Sequence, residues 1–218
     1  LSILTDGYGI NIIPLANFAL SAYADDPCEG YALKGNPQLS LQETDLNIKI
    51  QKAMAILQFK VEAQLIDENP SFNLESRKLL HTINRETNTI IIDGVEYDVK
   101  DPVFPTVNWD DPYALTDEEE YVMTSLEKAF QNCEKLQRHI RFFLDRGSLY
   151  KIKNNTLMLH ACVPLNDDGT LKEVDIYGKT YKGRELFEAV DRYVRAAFSA
   201  TDAQSRKRGC DLLWYLWL

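Results

Sequence analysis

The chain has 218 residues, and its shares of 45% hydrophobic and 26% charged side chains are typical of a soluble globular protein. Its formal net charge of −9 at pH 7 argues against nucleic acid as a partner. No apolar stretch approaches the length of a membrane-spanning helix, which argues against a membrane protein.

The cysteines and the two ends of the chain suggest its cellular context. Four cysteines are scattered without a CxxC pair: Cys28, Cys133, Cys162 and Cys210. This pattern favours a reduced, cytoplasmic protein with inert thiols. The chain starts at Leu1 without a methionine and stops at Leu218 inside an apolar run that lacks a helix stop. The simplest interpretation is an internal piece of a longer polypeptide.

The first third of the chain predicts helices. Apolar residues at helical spacing over 10–24 predict a helix that starts near Ile12 or Ile13, because Pro14 is tolerated only in a first turn. After a loop over 27–40, a long helix is predicted over 42–67. Its wide apolar stripe indicates packing on more than one side. A further short helix is predicted over 73–83.

Two segments, 89–99 and 174–181, predict β-hairpins. Asp93-Gly94 supplies the two positive-φ positions of a type I′ turn in the first, and Tyr177-Gly178 marks a weaker version in the second. The connector between 101 and 115 is rich in proline and predicts irregular structure.

One continuous helix is predicted from the capping box at Thr116 and Glu119 to about Asp145. Its apolar residues step by four and three from Val122 to Phe143, as in a helix–helix seam. Gly147 follows as the helix stop. A later amphipathic helix is predicted over 184–200, and the basic run 205–208 is interpreted as a solvated helix start.

The most informative stretch is 149–166. A short strand turns at Asn154-Asn155 into the almost wholly apolar run 156–164, which predicts a strand buried on both faces. His160 interrupts that run near its end. Ligands of helix-covered sheets bind beyond the carboxyl ends of strands, so His160 is a candidate metal ligand. A core histidine bonded to backbone is the alternative, and position alone favours it.

Other motifs are weak or absent. The sequence FLDRG at 143–147 ends in the same letters as the GDxxDRG motif of dimetal phosphatases, but Phe142 and Arg141 stand where that motif needs aspartate and glycine. The cations near His139 suggest either a solvated helix face or a phosphate site. No HExxH, P-loop or GxSxG motif is present. The residues alone therefore predict a soluble α+β domain.

Several strings resemble a known family, the bacterial class III fructose-1,6-bisphosphatases of the calcineurin-like metallophosphoesterase superfamily. They are DGYGINIIPLANFA at 6–19, EKLQRHIRFFL at 134–144, GSLY at 147–150, LHACVPLNDDG at 159–169 and DLLWYLW at 211–217. Agreement of several unrelated strings in order is far more specific than agreement of one motif.

The resemblance implies a partial four-layer αββα metallophosphatase fold with two divalent ions, expected to be Mn²⁺. It implies hydrolysis of the 1-phosphate of fructose 1,6-bisphosphate to fructose 6-phosphate, a gluconeogenic step. His160 is the one residue that the resemblance carries over as a metal ligand. The GDxxDRG aspartates, the GNHD motif and the later Gly-His motif are absent, so no catalytic residue is predicted here and the substrate-binding residues are unknown.

The resemblance also implies a division of the chain. Residues 1–26 form a helix of the phosphatase domain, 27–146 a helical and hairpin insertion covering it, and 147–218 a strand, hairpin and helices of the same domain. The partner is a sugar bisphosphate, with a homo-oligomer possible. Two alternatives remain: a non-catalytic helical cover or interaction module, and a metallophosphatase acting on another phosphoester.

Overall fold

The computed structural model describes residues 3–31, 39–160 and 162–217, and the predicted α+β class is confirmed. Part of the predicted loop, residues 32–38, lies outside the described residues, as do both chain ends and Ala161. The α-helices are α1 (Ile13–Ala22), α2 (Leu41–Glu68), α3 (Asp117–Gln131), α4 (Glu134–Arg146), α5 (Gly183–Ser199) and α6 (Ala203–Trp217). No described helix combines the length and the hydropathy needed to cross a membrane.

Six strands form separate two-stranded antiparallel sheets within the described ranges. They are β1 (Thr89–Ile92) with β2 (Val95–Asp98), β3 (Tyr150–Lys153) with β4 (Thr156–Leu159), and β5 (Val174–Ile176) with β6 (Lys179–Tyr181). All three predicted turns are confirmed, because both central residues of each turn have positive φ: Asp93-Gly94, Asn154-Asn155 and Tyr177-Gly178.

Packing divides the chain into two compact units, one formed by residues 1–68 and 74–137 and the other by 69–73 and 138–218. These units show which parts of the chain pack together, and they do not test whether residues 27–146 are an insertion. The expected insertion therefore stays a prediction.

The first unit is built around α2, which packs on two sides as predicted. Ile50, Ala53 and Leu57 join a core with α1 and Val122 of α3. Ile56 belongs to a second core with Leu80 and Val107. The helix begins one residue earlier and ends one residue later than predicted. A feature that the apolar stripe does not indicate is that three lysines of α2 are also buried: Lys49, Lys52 and Lys60.

The predicted continuous helix over 116–145 is wrong, because the helix breaks between α3 and α4. The capping box at Thr116 and Glu119 is confirmed at the start of α3. At the break, the Cys133 thiol donates to the Tyr8 carbonyl at 3.2 Å, and Lys135 donates to the Gly7 carbonyl at 2.7 Å. Both contacts are made with the N-terminal segment. Val122 of α3 is buried but no residue of α4 is, so the predicted helix–helix seam does not continue into α4.

The predicted short helix over 73–83 is also not formed. The segment instead contains the single 3₁₀ turns Glu75–Arg77 and Leu80–Thr82. Leu80 is buried in the second core, and His81 is exposed, with Nδ1 2.7 Å from the Tyr113 hydroxyl.

The second unit packs α5 against α6, with the β5–β6 hairpin contributing to the same core. Leu186, Ala189 and Val190 of α5 meet Leu212 of α6 and Ile176 of β5. The segment 69–73 joins this unit through Phe72, whose ring stacks on Tyr215 with centroids 4.5 Å apart. The basic run 205–208 is exposed in α6, as predicted.

The prediction that residues 156–164 form a strand buried on both faces is wrong. β4 is half of an isolated hairpin, and Thr156, Leu157 and Met158 are exposed. The register shows that successive side chains of the apolar run lie on opposite faces of the hairpin, with Leu157 and Leu159 on one face and Met158 on the other. Composition alone could not distinguish the two faces, since methionine and leucine have similar hydropathy.

Candidate functional site

The β3–β4 hairpin places His160 immediately after the last residue of β4. The register pairs Tyr150 with Leu159 and Lys153 with Thr156, so the hairpin is regular up to the histidine. The turn needs two left-handed residues, and asparagine tolerates that conformation better than most side chains. Asn154 and Asn155 have φ values of 50° and 60°. The local sequence therefore determines where the histidine lies on the chain.

The His160 side chain is exposed, so the alternative of a core histidine is wrong for this chain. Among the described residues, none forms a hydrogen bond or ion pair with the ring. A neutral imidazole in this state retains a lone pair that can bind a metal ion. The exposure is compatible with a ligand role, which stays a prediction.

The described residues do not supply a complete metal site. No group of three or more histidine, cysteine, aspartate or glutamate side chains is close enough to hold an ion in ranges 3–31, 39–160 and 162–217. A dinuclear Mn²⁺ centre needs several oxygen and nitrogen ligands. The donor set therefore fits one ligand position at His160 and does not fit a whole centre.

The loop after His160 is organised by its own polar residues. Leu165 and Leu171 form an isolated β-bridge, and Gly169, at φ 80°, lies in the turn between them. Asp168 accepts hydrogen bonds from the Thr170 backbone at 2.9 Å and the Thr170 hydroxyl at 2.6 Å. These bonds lower the pKa of the Asp168 carboxyl. Asp168 is thus engaged within the loop.

A cleft of about 630 Å³ lies between residues 148–152 and one face of α5. His160 is not among its lining residues. Three arginines line it, but Arg184 pairs with Glu188 and Arg195 pairs with Asp191, each at 2.7 Å. The pairing raises the pKa of both arginines. Two of the three arginines are thus already neutralised by carboxylates. The cleft is therefore lined by a network of ion pairs and is not a free anion site.

Arg195 also holds the end of α4. Its guanidinium donates to the Leu144 carbonyl and, at 3.0 Å, to the Gly147 carbonyl. Carbonyls at a helix C-terminus lack intrahelical partners, and an arginine satisfies them well. Gly147 stands at the predicted helix stop, but the sequence did not indicate that Arg195 would bind there.

Asp211, the first residue of the DLLWYLW string, is buried. Its carboxylate accepts from the Asn69 amide at 2.9 Å and is paired with Lys207. Asp211 thereby ties segment 69–73 to α6 within the second unit. Nothing in its sequence context distinguished this structural role from a chemical one.

Comparison with known proteins agrees with the resemblance that the sequence strings carry. The model of one family, described as Firmicute fructose-1,6-bisphosphatase, matches residues 1–218. The chain belongs to this family. No solved structure matches the chain.

Curated relatives within this family carry the name fructose-1,6-bisphosphatase class 3. Those of Clostridium novyi and Phocaeicola vulgatus are each 45% identical to this chain, over 219 and 226 residues. That of Clostridium acetobutylicum is 43% identical over 220 residues. Each alignment covers 100% of this chain and 33% of the relative. The chain therefore spans about one third of the length of the curated relatives it matches.

Proposed function

We propose that this chain is part of a metal-dependent phosphatase that hydrolyses the 1-phosphate of fructose 1,6-bisphosphate to give fructose 6-phosphate. The observation that carries the proposal is the match of a fructose-1,6-bisphosphatase family along the whole chain. Relatives at 45% identity with that name support the same substrate. A gluconeogenic role in the cytoplasm belongs to the proposal.

The proposal includes the architecture expected of such an enzyme. The β3–β4 hairpin, α5 and α6 would belong to a four-layer αββα domain, and residues 27–146 would cover or flank its active site. The mixture of helices and small antiparallel sheets supports the α+β class of such a domain. Most of the catalytic machinery would come from the rest of the full-length protein.

His160 has the role of one metal ligand in this proposal. Its exposed ring follows a strand directly, so the backbone position is held while the imidazole stays accessible. With His160 as one ligand and the others supplied by the rest of the protein, a pair of Mn²⁺ ions would polarise the phosphoryl oxygens and would provide a hydroxide nucleophile at neutral pH. The contribution of this chain is a neutral ring nitrogen at a defined strand end.

Phosphate release by the full-length protein, with and without added Mn²⁺, tests the activity. We expect turnover only with the metal. His160→Ala should lower both metal content and turnover by at least about tenfold, because loss of a residue that only supports a metal ligand already costs about 10- to 100-fold. His81→Ala is the matched control, because His81 is exposed and lies in the first unit. Undiminished metal content in His160→Ala would contradict the ligand role.

A second candidate is a non-catalytic cover or interaction module, which the absence of a metal cluster among the described residues favours for the chain by itself. We expect the isolated chain to bind Mn²⁺ weakly and to release no phosphate. Metal analysis after size-exclusion chromatography separates the cases. Robust hydrolysis by the isolated chain would overturn the division of roles proposed here.

A further inference from the structure

Three buried side-chain oxygens of the first unit have no hydrogen-bond partner among the described residues. They are the Tyr23 hydroxyl, the Thr106 hydroxyl and Glu119 Oε1. The large majority of buried polar side-chain atoms in proteins are paired, because leaving one unpaired costs free energy. We call these three atoms the buried oxygen site.

Lys60 brings two of the three residues side by side. Its Nζ donates to the Thr106 carbonyl at 2.8 Å and to Glu119 Oε2 at 2.6 Å. Thr106 and Glu119 are therefore neighbours around one nitrogen atom. The unpaired Oε1 belongs to the same carboxylate that Lys60 binds.

Tyr23 reaches the same place from the end of α1. Its ring is fully buried and lies edge-on to Phe18 with the centroids 6.3 Å apart, and Lys52 Nζ lies 6.0 Å from its centroid. Burial raises the pKa of the Tyr23 hydroxyl, the Thr106 side chain lowers it, and the Glu119 carboxylate raises it. Because such electrostatic effects weaken with distance, the hydroxyl lies near both groups.

The charges and the burial of the site restrict what it can bind. Lys60 already neutralises Glu119, so a cation would add an uncompensated buried charge and an anion would face the carboxylate. A neutral molecule that both donates and accepts hydrogen bonds fits, since the carboxylate oxygen only accepts and the two hydroxyls can donate. Tyr23 and Glu119 are fully buried, so this molecule must be small enough to be enclosed when the chain folds.

We propose that the buried oxygen site binds one internal water molecule. The water donates to Glu119 Oε1 and accepts from the Tyr23 and Thr106 hydroxyls, and about three hydrogen bonds are usual for a buried water. It joins α1 to the Lys60–Glu119 pair, which connects α2, the 101–115 connector and α3. The site does not depend on which phosphoester the full-length protein hydrolyses.

A crystal structure of the full-length protein, together with magnetic relaxation dispersion of water in solution, tests the site. We expect density for one water oxygen at about 2.7–3.2 Å from all three protein oxygens. Tyr23→Phe removes one hydroxyl and keeps the ring, so it should remove this density and lower the number of slowly exchanging waters by one. Tyr121→Phe is the matched control and should change neither, because Tyr121 of α3 is 65% exposed.

Position 106 supplies a second pair of variants, which decides the matter if Tyr23→Phe does not fold. Thr106→Val has nearly the same shape but lacks the hydroxyl, so it should also lose the water. Thr106→Ser keeps the hydroxyl and should retain the water.

Three results would overturn the proposal. Density for a protein side chain bonded to the three oxygens would mean that the chain itself satisfies them. An anomalous signal at the site after exchange of K⁺ for Rb⁺ would make it a cation site. An unchanged number of slowly exchanging waters in both Tyr23→Phe and Thr106→Val would show that no water is bound there.

Discussion

Lys60 Nζ lies 2.6 Å from Glu119 Oε2, and both side chains are fully buried. The same Nζ donates to the Thr106 carbonyl at 2.8 Å, while the same carboxylate oxygen accepts from the Thr116 backbone at 2.9 Å. One carboxylate thus caps α3 and neutralises a lysine of α2. The pair links the two helices through charge as well as through packing.

Breaking this pair should strongly destabilise the chain. Lys60→Met leaves Glu119 buried without its cation, and loss of one partner of a buried pair costs about 3–5 kcal/mol. Lys60→Met combined with Glu119→Gln should recover part of the loss, because no unpaired charge remains. Urea unfolding measures both variants. Lys182→Met is the control, since its pair with Glu173 is exposed and worth about 0–1 kcal/mol; equal losses at the two sites would contradict the prediction.

The crossing of α5 and α6 depends on the absence of a side chain at position 209. A Cβ added at Gly209 would lie 2.0 Å from the Cβ of Ala197. Gly209→Ala should therefore destabilise the chain by about 1–3 kcal/mol, although alanine favours helices. Ala197→Gly in the same chain should relieve the clash and restore part of the stability.

Thermal unfolding measures these variants, with Gln204→Ala as an exposed control on the same helix. If Gly209→Ala were as stable as the unsubstituted chain, the two helices could separate without loss of stability, and the prediction would be wrong.

Stability should fall at high pH because of Cys28. Burial, and then the nearby Asp26 carboxylate, raises the pKa of the Cys28 thiol from its ordinary 9.0 to about 11. The folded state thus holds the proton more tightly than the unfolded state. Its contribution is complete below pH 9.0 and is lost as the pH rises to about 11. The loss should be on the order of 2 kcal/mol.

Urea midpoints between about pH 8 and about pH 11 measure this loss. Cys28→Ser, which lacks the titration, should show a shallower fall over that window. Burial also raises the pKa of Tyr23, so some fall should remain in the variant. Parallel curves for the two proteins would exclude Cys28 as the cause.

The Asn154-Asn155 turn should resist β-branched residues. Asn155 has a φ of 60°, a conformation that costs an L-residue with a Cβ about 1–2 kcal/mol and a β-branched one more. Asn155→Val should destabilise the hairpin, and Asn155→Gly should be tolerated. Hydrogen exchange of the β3 and β4 amides measures the effect. Met158→Val is the control, because it adds a β-branched residue at an exposed position inside β4; greater loss there than in Asn155→Val would contradict the prediction.

Local chemistry explains which parts of the fold could be predicted. The turns at Asp93-Gly94 and Asn154-Asn155 and the capping box at Thr116 depend on residues within a few positions, so their sequence was sufficient. At the break between α3 and α4, Cys133 and Lys135 meet carbonyls about 125 residues away in sequence. Such contacts leave no local pattern.

The amino-acid sequence by itself determined the α+β class, the positions of the turns and most helix boundaries, and the family. Those features follow from local backbone preferences and from strings of residues read in order. Only the tertiary structure decided that three lysines of α2 are buried, that Asp211 anchors segment 69–73, and that His160 follows an exposed hairpin instead of a buried strand. The physical reason is that burial and charge pairing depend on which distant segments meet, and the hydropathy of one segment does not contain that information.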